Sequence, residues 1–311
     1  MKFKYLGKTK IRLSEIGLGT WKMEGREEEI SSIRHSISLG VNLVDTAEMY
    51  GNEEAVGMAI RDSDAYIATK VSPNHFRRDL IIKSCKESIK RLGVDSIDLY
   101  QLHWPNPNID IKETMSAMES LVDDGLVGNI GVSNFSLDEL IEAQGAMKKY
   151  EIASNQIEGS VLVRDHIDEL GSYCKKNKIT LIAYSPLARG MIYSNSHAKM
   201  NAILDEIAKR RNKSISQIAL NWLLSVDNLI AIPKASNVRH AIENANASGW
   251  NLNAKEISMI NRTDDFIRPL SAQIKPVIRF AAPFMGAYTK INKIKSGRHL
   301  KSKTARSSKK K

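Results

Sequence analysis

Apolar positions along this chain follow two alternating periods. Short runs such as Val41–Val44, brief, β-branched and bounded by Gly40 and a polar turn, read as buried strands. Longer stretches with apolar residues three and four apart, such as Ile30, Ile33 and Ile37, read as helices. The opening residues Phe3–Tyr5 and Lys10–Leu13, around Leu6-Gly7-Lys8, predict a β-hairpin. Strands are then predicted at Ile16–Leu18, Val41–Val44, Tyr66–Lys70, Ile97–His103, Val127–Val132, Ile152–Gln156, Thr180–Tyr184 and Leu229–Ile232. Between them helices are predicted at Glu27–Leu39, Glu53–Arg61, Arg78–Leu92, Lys112–Asp124, Leu137–Lys149 and Asp165–Asn177. Three more come at Met200–Arg211, Ser216–Ser225 and Asn237–Ala247. Eight strand–helix units imply an α/β protein, a parallel sheet closed into a (β/α)8 TIM barrel with an N-terminal hairpin.

Composition changes this picture at one end only. The 311 residues suit one such barrel, and 42% hydrophobic content is ample for its core. The net charge of +11 is not evenly spread: residues 266–311 carry 13 Lys and Arg and no acid, leaving −2 on residues 1–265. The expected organisation is therefore a barrel over 1–265, then a segment over 266–311 that starts across the pocket and ends as a basic tail. No signal-peptide core opens the chain, and no run approaches the ~20 apolar residues of a membrane span. Two distant cysteines, Cys85 and Cys174, form no CxxC and no disulfide framework, which points to the cytoplasm.

The chemistry gathers at strand ends. Asp45 closes the Val41–Val44 run, Lys70 closes Tyr66–Lys70 and His103 closes Ile97–His103; Tyr50 lies five residues past Asp45. The separations from Asp45 to Lys70 and from Lys70 to His103, 25 and 33 residues, each suit one strand–helix unit. In such barrels catalytic groups lie at the carboxyl ends of strands. A carboxylate at the mouth of a buried strand needs a partner, and Lys70 can supply it. Each position alone has a plainer explanation: Asp45 with Lys70 as a structural ion pair, His103 as a satisfied core histidine. A phenol, an amine, an acid and an imidazole at adjoining strand ends favour an active site.

Taken together, DTAEMYGNEEAVGMAI, the ends at Lys70 and His103, GVSNF at 131–135, NQ at 155–156, AYSPLARG at 183–190 and IPKAS…EN at 232–244 resemble the aldo-keto reductases. The likeness runs in order from about Phe3 to Asp264. The resemblance implies an NAD(P)H-dependent reductase of aldehydes or ketones, with Asp45, Tyr50, Lys70 and His103 as its catalytic four. Tyr50 would be the proton donor. A free phenol titrates near ~10, and the Lys70 ammonium is expected to lower it, held charged by Asp45. His103 would hydrogen-bond the carbonyl oxygen.

By the same resemblance Ser133, Asn134 and Gln156 would grip the nicotinamide carboxamide and Tyr184 would stack on its ring. Gly19 and Thr20 are further cofactor candidates, and Ser185 and Leu187 would line the pyrophosphate. Lys234, Ser236 and His240 fall where a 2′-phosphate would sit, with Glu243 and Asn244 around the adenine. Here the chain departs from the pattern: Ala235 comes after the lysine where serine is common, and His240 stands where arginine is common, with Arg239 adjacent. NADPH is the expected cofactor on account of Lys234, with NADH as the alternative. Trp21, Met49 and Trp104 flank the catalytic positions as substrate-pocket candidates, and no metal-ligand set is singled out.

Two other readings meet the same residues. Tyr66 and Lys70 make a YxxxK spacing, but along a strand they stand roughly 13 Å apart, and no GxGxxG comes after the first strand, which disfavours a Rossmann dehydrogenase. The rival function is a cofactor-binding regulatory subunit of the same fold, as in potassium-channel β-subunits, with the basic tail as its arm for a membrane or an acidic partner. The partners expected are a small carbonyl substrate, no specific nucleic acid and weak peripheral membrane contact through the tail, with the chain a monomer.

Overall fold

A computed structural model describes residues 1–267 and 269. The expectations for the basic tail fall outside the described residues. A hairpin, β1 (Phe3–Tyr5) and β2 (Arg12–Ser14), precedes eight parallel strands. These are β3 (Leu18–Gly19), β4 (Leu43–Asp45), β5 (Tyr66–Val71), β6 (Ile97–Leu102), β7 (Val127–Ser133), β8 (Ile152–Glu158), β9 (Thr180–Tyr184) and β10 (Leu229–Ala231), paired in that order. The ends meet through a parallel bridge from Ile16 to Ala231, and the Gly17 amide donates to the Ala231 carbonyl at 2.8 Å. At this seam a Cβ on Gly19 would lie 2.8 Å from the Ile232 carbonyl oxygen, so only glycine lets the strands close.

The helices are α1 (Glu27–Ser38), α2 (Glu53–Ile60), α3 (Arg78–Leu92), α4 (Ile111–Asp123), α5 (Leu137–Ala146) and α6 (Asp165–Asn177). After β9 come α7 (Ala198–Arg211) and α8 (Ile215–Leu224), and after β10 α9 (Val238–Ala245) and α10 (Ala254–Asn261). Sequence reading did not predict α10, although Asn253 and Glu256 form a capping box at its start. Among the described residues no helix is long and apolar enough to cross a membrane.

Strand alternation sorts the barrel interior into layers. At the bottom the hairpin presses Leu6 and Leu13 against Leu43, Ala68, Leu99, Ile182 and Ile230. The Gly7 amide donates to Thr180 Oγ1 at 2.8 Å, and Lys4 Nζ donates to the Leu224, Val226 and Leu229 carbonyls, between the end of α8 and the start of β10. Two residues further up the same faces, the apolar layer gives way to Asp45, Lys70 and Gln101. The fold thus plugs one end with leucine and leaves the polar layer at the other.

Candidate active site

The polar layer is buried and tightly paired. Lys70 Nζ donates to Asp45 Oδ1 at 2.6 Å and to the Thr46 carbonyl at 2.7 Å, with Lys70 fully buried and Asp45 nearly so. The other carboxylate oxygen, Oδ2, accepts from Gln156 Nε2 at 2.7 Å and from Gln101 Nε2 at 3.2 Å. Thr20 donates through both its amide and its hydroxyl to the Asp45 carbonyl, each at 3.0 Å. A buried carboxylate is tolerated only when paired and fully hydrogen-bonded, and Asp45 is both. Burial pulls the Lys70 ammonium below its ordinary value, opposed by Asp45.

Tyr50 and His103 sit above this pair. Lys70 Nζ stands 5.0 Å from the centroid of the Tyr50 ring, and the Tyr50 and His103 rings meet edge to face at 5.6 Å. Trp104 stacks on His103 at 6.5 Å. Burial, then the Asp45 charge, pushes the Tyr50 phenol well above its ordinary value. This corrects the expectation that Lys70 lowers it: the ammonium is matched by Asp45 at 2.6 Å, so the pair presents little net charge to the phenol. Burial and the Lys70 charge hold His103 well below the ordinary imidazole range, hence neutral. Its Nδ1 is buried without a hydrogen-bond partner among the described residues.

The residues expected to hold nicotinamide line the adjoining arc. Tyr184 OH donates to Asn134 Oδ1 at 2.8 Å, and Asn134 Nδ2 donates to the His103 carbonyl and to Ser133 Oγ. Ser133 Oγ donates to the Gln156 carbonyl at 3.0 Å. Asn134, at φ 64°, takes a left-handed turn that brings its amide back over the strand end. Gln156 differs from expectation: its amide is turned onto Asp45. Thr20 is likewise engaged with the Asp45 backbone, and Gly19 lies in the barrel seam.

Beyond β9 the chain bends sharply, with Ser185, Ala188 and Arg189 all at positive φ before Gly190. Leu187 packs partly buried against the core, and Arg189 pairs with Glu158, a buried acid at the end of β8. Around α9, Lys234 and Arg239 are exposed and Ser236 and His240 partly buried. Arg239 Nη2 lies 3.2 Å from His240 Nε2, so the adjacent guanidinium noted in the sequence stands beside the imidazole. Asn244 Nδ2 donates to the Lys234 carbonyl at 3.3 Å, while Glu243 accepts from Ser214 Oγ at 2.6 Å. Of the pocket candidates, Trp21 is 42% exposed with Lys22 Nζ 4.5 Å over its ring, and Met49 and Trp104 are half-buried.

Sequence reading missed Gln101, although it stands two positions before His103 on one strand and so must face inward. It also missed Glu158 and Arg189, which lie 31 residues apart with no local signal. An unpartnered imidazole nitrogen beside a phenol, an inward tyrosine and a pair of exposed cations at a helix start fit an extended dinucleotide. Ser133, Asn134 and Tyr184 would hold its ring end, and Lys234 and Arg239 its phosphate end.

Comparison with known proteins decides the matter: the family model described as the Aldo/keto reductase family matches residues 15–265. The chain belongs to the aldo/keto reductase family. Methylglyoxal reductase YeaE of Escherichia coli is 33% identical over 261 residues, covering 81% of this chain and 91% of that protein. Glyoxal reductase of Bacillus subtilis is 33% identical over 258 residues, covering 81% and 89%. Among solved structures, a thermostable aldo-keto reductase in complex with epalrestat superposes with a TM-score of 0.79 at 39% identity, covering 84% of this chain and 99% of that one. An aldo/keto reductase from Klebsiella pneumoniae in complex with NADP and acetate gives 0.77 at 30% identity, covering 86% and 97%. As an aldo/keto reductase the chain is an NADP-dependent oxidoreductase acting on carbonyl groups. The rival reading, a regulatory subunit, finds no support: these relatives are reductases by name.

Proposed function

We propose that this aldo/keto reductase reduces small 2-oxoaldehydes of the methylglyoxal type, with Tyr50 as the proton donor. The observation that carries the reading is the buried Lys70–Asp45 pair set beneath the Tyr50 ring, with neutral His103 at its edge. NADPH, held by Ser133, Asn134 and Tyr184 at its ring end and by Lys234 and Arg239 at its phosphate end, would supply the hydride. The phenol, kept protonated by burial, donates its proton to the carbonyl oxygen as negative charge develops there. Lys70, 5.0 Å from the ring, stabilises the phenolate left behind, and Asp45 keeps Lys70 charged. His103 donates a hydrogen bond to the same oxygen and orients the carbonyl. Trp21, Met49 and Trp104 give the pocket apolar walls, which suit a compact substrate.

The substrate class rests on the relatives, a methylglyoxal reductase and a glyoxal reductase. NADPH over NADH rests on Lys234 and Arg239, two exposed cations beside the start of α9, since guanidinium pairs well with a phosphate. The reading is of a cytoplasmic monomer, in keeping with two free buried cysteines. The test monitors NADPH oxidation by absorbance with methylglyoxal, glyoxal and a panel of bulkier ketones. Turnover of the 2-oxoaldehydes that is lost in Tyr50→Phe is expected; turnover unaffected by Tyr50→Phe overturns the assignment.

A further inference from the structure

Tyr50 does not sit on a strand. It ends a short 3-10 turn, Glu48–Tyr50, whose backbone bonds are few: the Tyr50 amide donates to the Ala47 carbonyl at 3.0 Å and the Gly51 amide to the Glu48 carbonyl at 3.3 Å. The β4–β5 ladder stops below it, where the Thr46 amide donates to the Ala68 carbonyl. Something else must fix the phenol relative to Lys70. Glu48 is placed to do so. Its side chain, only 10% exposed, accepts from the Ser72 amide through Oε1. Glu48 is two residues before Tyr50, and Ser72 is two residues after Lys70.

The same oxygen lies 3.0 Å from His75 Nδ1, and Ser84 Oγ, buried on α3, lies 3.0 Å from that nitrogen. The proton therefore belongs on Nδ1, where it faces Glu48. The charged groups around His75 are Glu48 from the turn and Glu87 and Lys83 from α3. The hydrogen bond to Glu48 raises the imidazole above its ordinary value, against burial and Lys83.

We propose that Glu48 is a positioning residue for the reaction: it ties the turn bearing Tyr50 to the strand end bearing Lys70, and His75 in its charged form tightens that tie. The proposal rests on the reading of Tyr50 as the proton donor. A displacement of the acid by about an ångström can cost on the order of 100-fold in rate, so one side chain bridging turn and strand has leverage on kcat. Its carboxylate bonds the Ser72 amide and His75, so its loss should change kcat more than binding. The tie is charged at low pH and loses its charge as pH rises through the raised imidazole value.

The experiment compares wild type, Glu48→Ala, Glu48→Gln, His75→Gln and Tyr50→Phe in kcat, KM for methylglyoxal, NADPH affinity by fluorescence, and thermal midpoint. Glu48→Ala is expected to lose about tenfold in kcat with KM and NADPH affinity within about threefold. Glu48→Gln keeps an oxygen for the Ser72 amide and should recover most of that loss. The ratio of wild-type to His75→Gln kcat should be highest below about pH 6.5 and fall to one as pH rises. With Tyr50→Phe inactive, Glu48→Ala within about twofold of wild type overturns the proposal and leaves the Tyr50 reading standing. An active Tyr50→Phe overturns both. Should Glu48→Ala not fold, the His75→Gln ratio decides, and a flat ratio across pH overturns the proposal.

Discussion

The Lys70 ammonium stands 5.0 Å from the centroid of the Tyr50 ring while it is bonded at 2.6 Å to Asp45 on its other side. On the proposed reading, one cation would serve two anionic demands, a permanent carboxylate and a phenolate formed only during turnover. Lys70→Met leaves Asp45 buried with two amide donors and no cation, which is expected to destabilise the fold by about 3–5 kcal/mol. Adding Asp45→Asn should restore much of that stability, because a neutral amide no longer needs the cation, while activity stays lost. Thermal unfolding of the single and double variants beside their turnover checks both halves.

Gln101 shares the Asp45 Oδ2 atom with Gln156 and lies 3.4 Å from the Gln156 amide through its own carbonyl. It thereby helps hold Gln156 turned inward. In Gln101→Leu, Asp45 keeps Lys70 and Gln156, so stability should fall by only about 1–2 kcal/mol. The kinetic effect should be a lower kcat by roughly threefold to tenfold, since the Asp45–Lys70 pair loses one of its orienting bonds. Steady-state kinetics with methylglyoxal and NADPH measure it.

Arg239 lies beside His240 near the start of α9. If that guanidinium meets the 2′-phosphate, Arg239→Ala should raise KM for NADPH about tenfold and leave KM for NADH unchanged. His240→Arg should lower KM for NADPH, because a guanidinium offers a phosphate more donors in a matching fork than an imidazole does. Michaelis constants for the two cofactors in the three proteins are the measurement.

Cys85 and Cys174 are both buried, and burial pushes each thiol up to about 12. The reactive thiolate is therefore scarce at any physiological pH, so native protein should resist alkylation by iodoacetamide. Both thiols should label after unfolding in denaturant. Mass spectrometry of the native and unfolded samples reads the difference.

How much of this was legible in the sequence depends on whether the signal was local. The bounds of α3 and α6 agree with those read from the sequence, where Gly93 marks the end of α3. Asp45, Lys70 and His103 were readable as strand ends, since alternation and βα spacing are properties of the chain itself. The direction of the Tyr50 shift was not, because it depends on how far the fold removes the phenol from water and on the Asp45 charge beside it. Glu48 and His75 were invisible for the same reason: 27 residues apart, they are joined only by the fold. Gln101 was legible in principle, as a polar residue on an inward face.

Arg164 joins the loop after β8 to the end of α10 and the residues just beyond it. Its guanidinium lies 4.8 Å from the ring centroids of both Trp222 and Phe266, and donates to the Ile260 and Asn261 carbonyls at the end of α10. The Ile267 amide donates to the Leu162 carbonyl nearby, and Asp265 pairs with His197 at 2.7 Å, so residues 265–267 are seated on the loop after β8 and the start of α7. Arg164→Ala removes two ring contacts and the hydrogen bonds to the α10 carbonyls together, which should lower stability by about 3 kcal/mol. Arg164→Lys should recover little, because an ammonium cannot lie flat between two rings while reaching two carbonyls. Thermal unfolding of both variants tests this: equal recovery by lysine would mean that charge alone, and not the planar guanidinium, holds the segment.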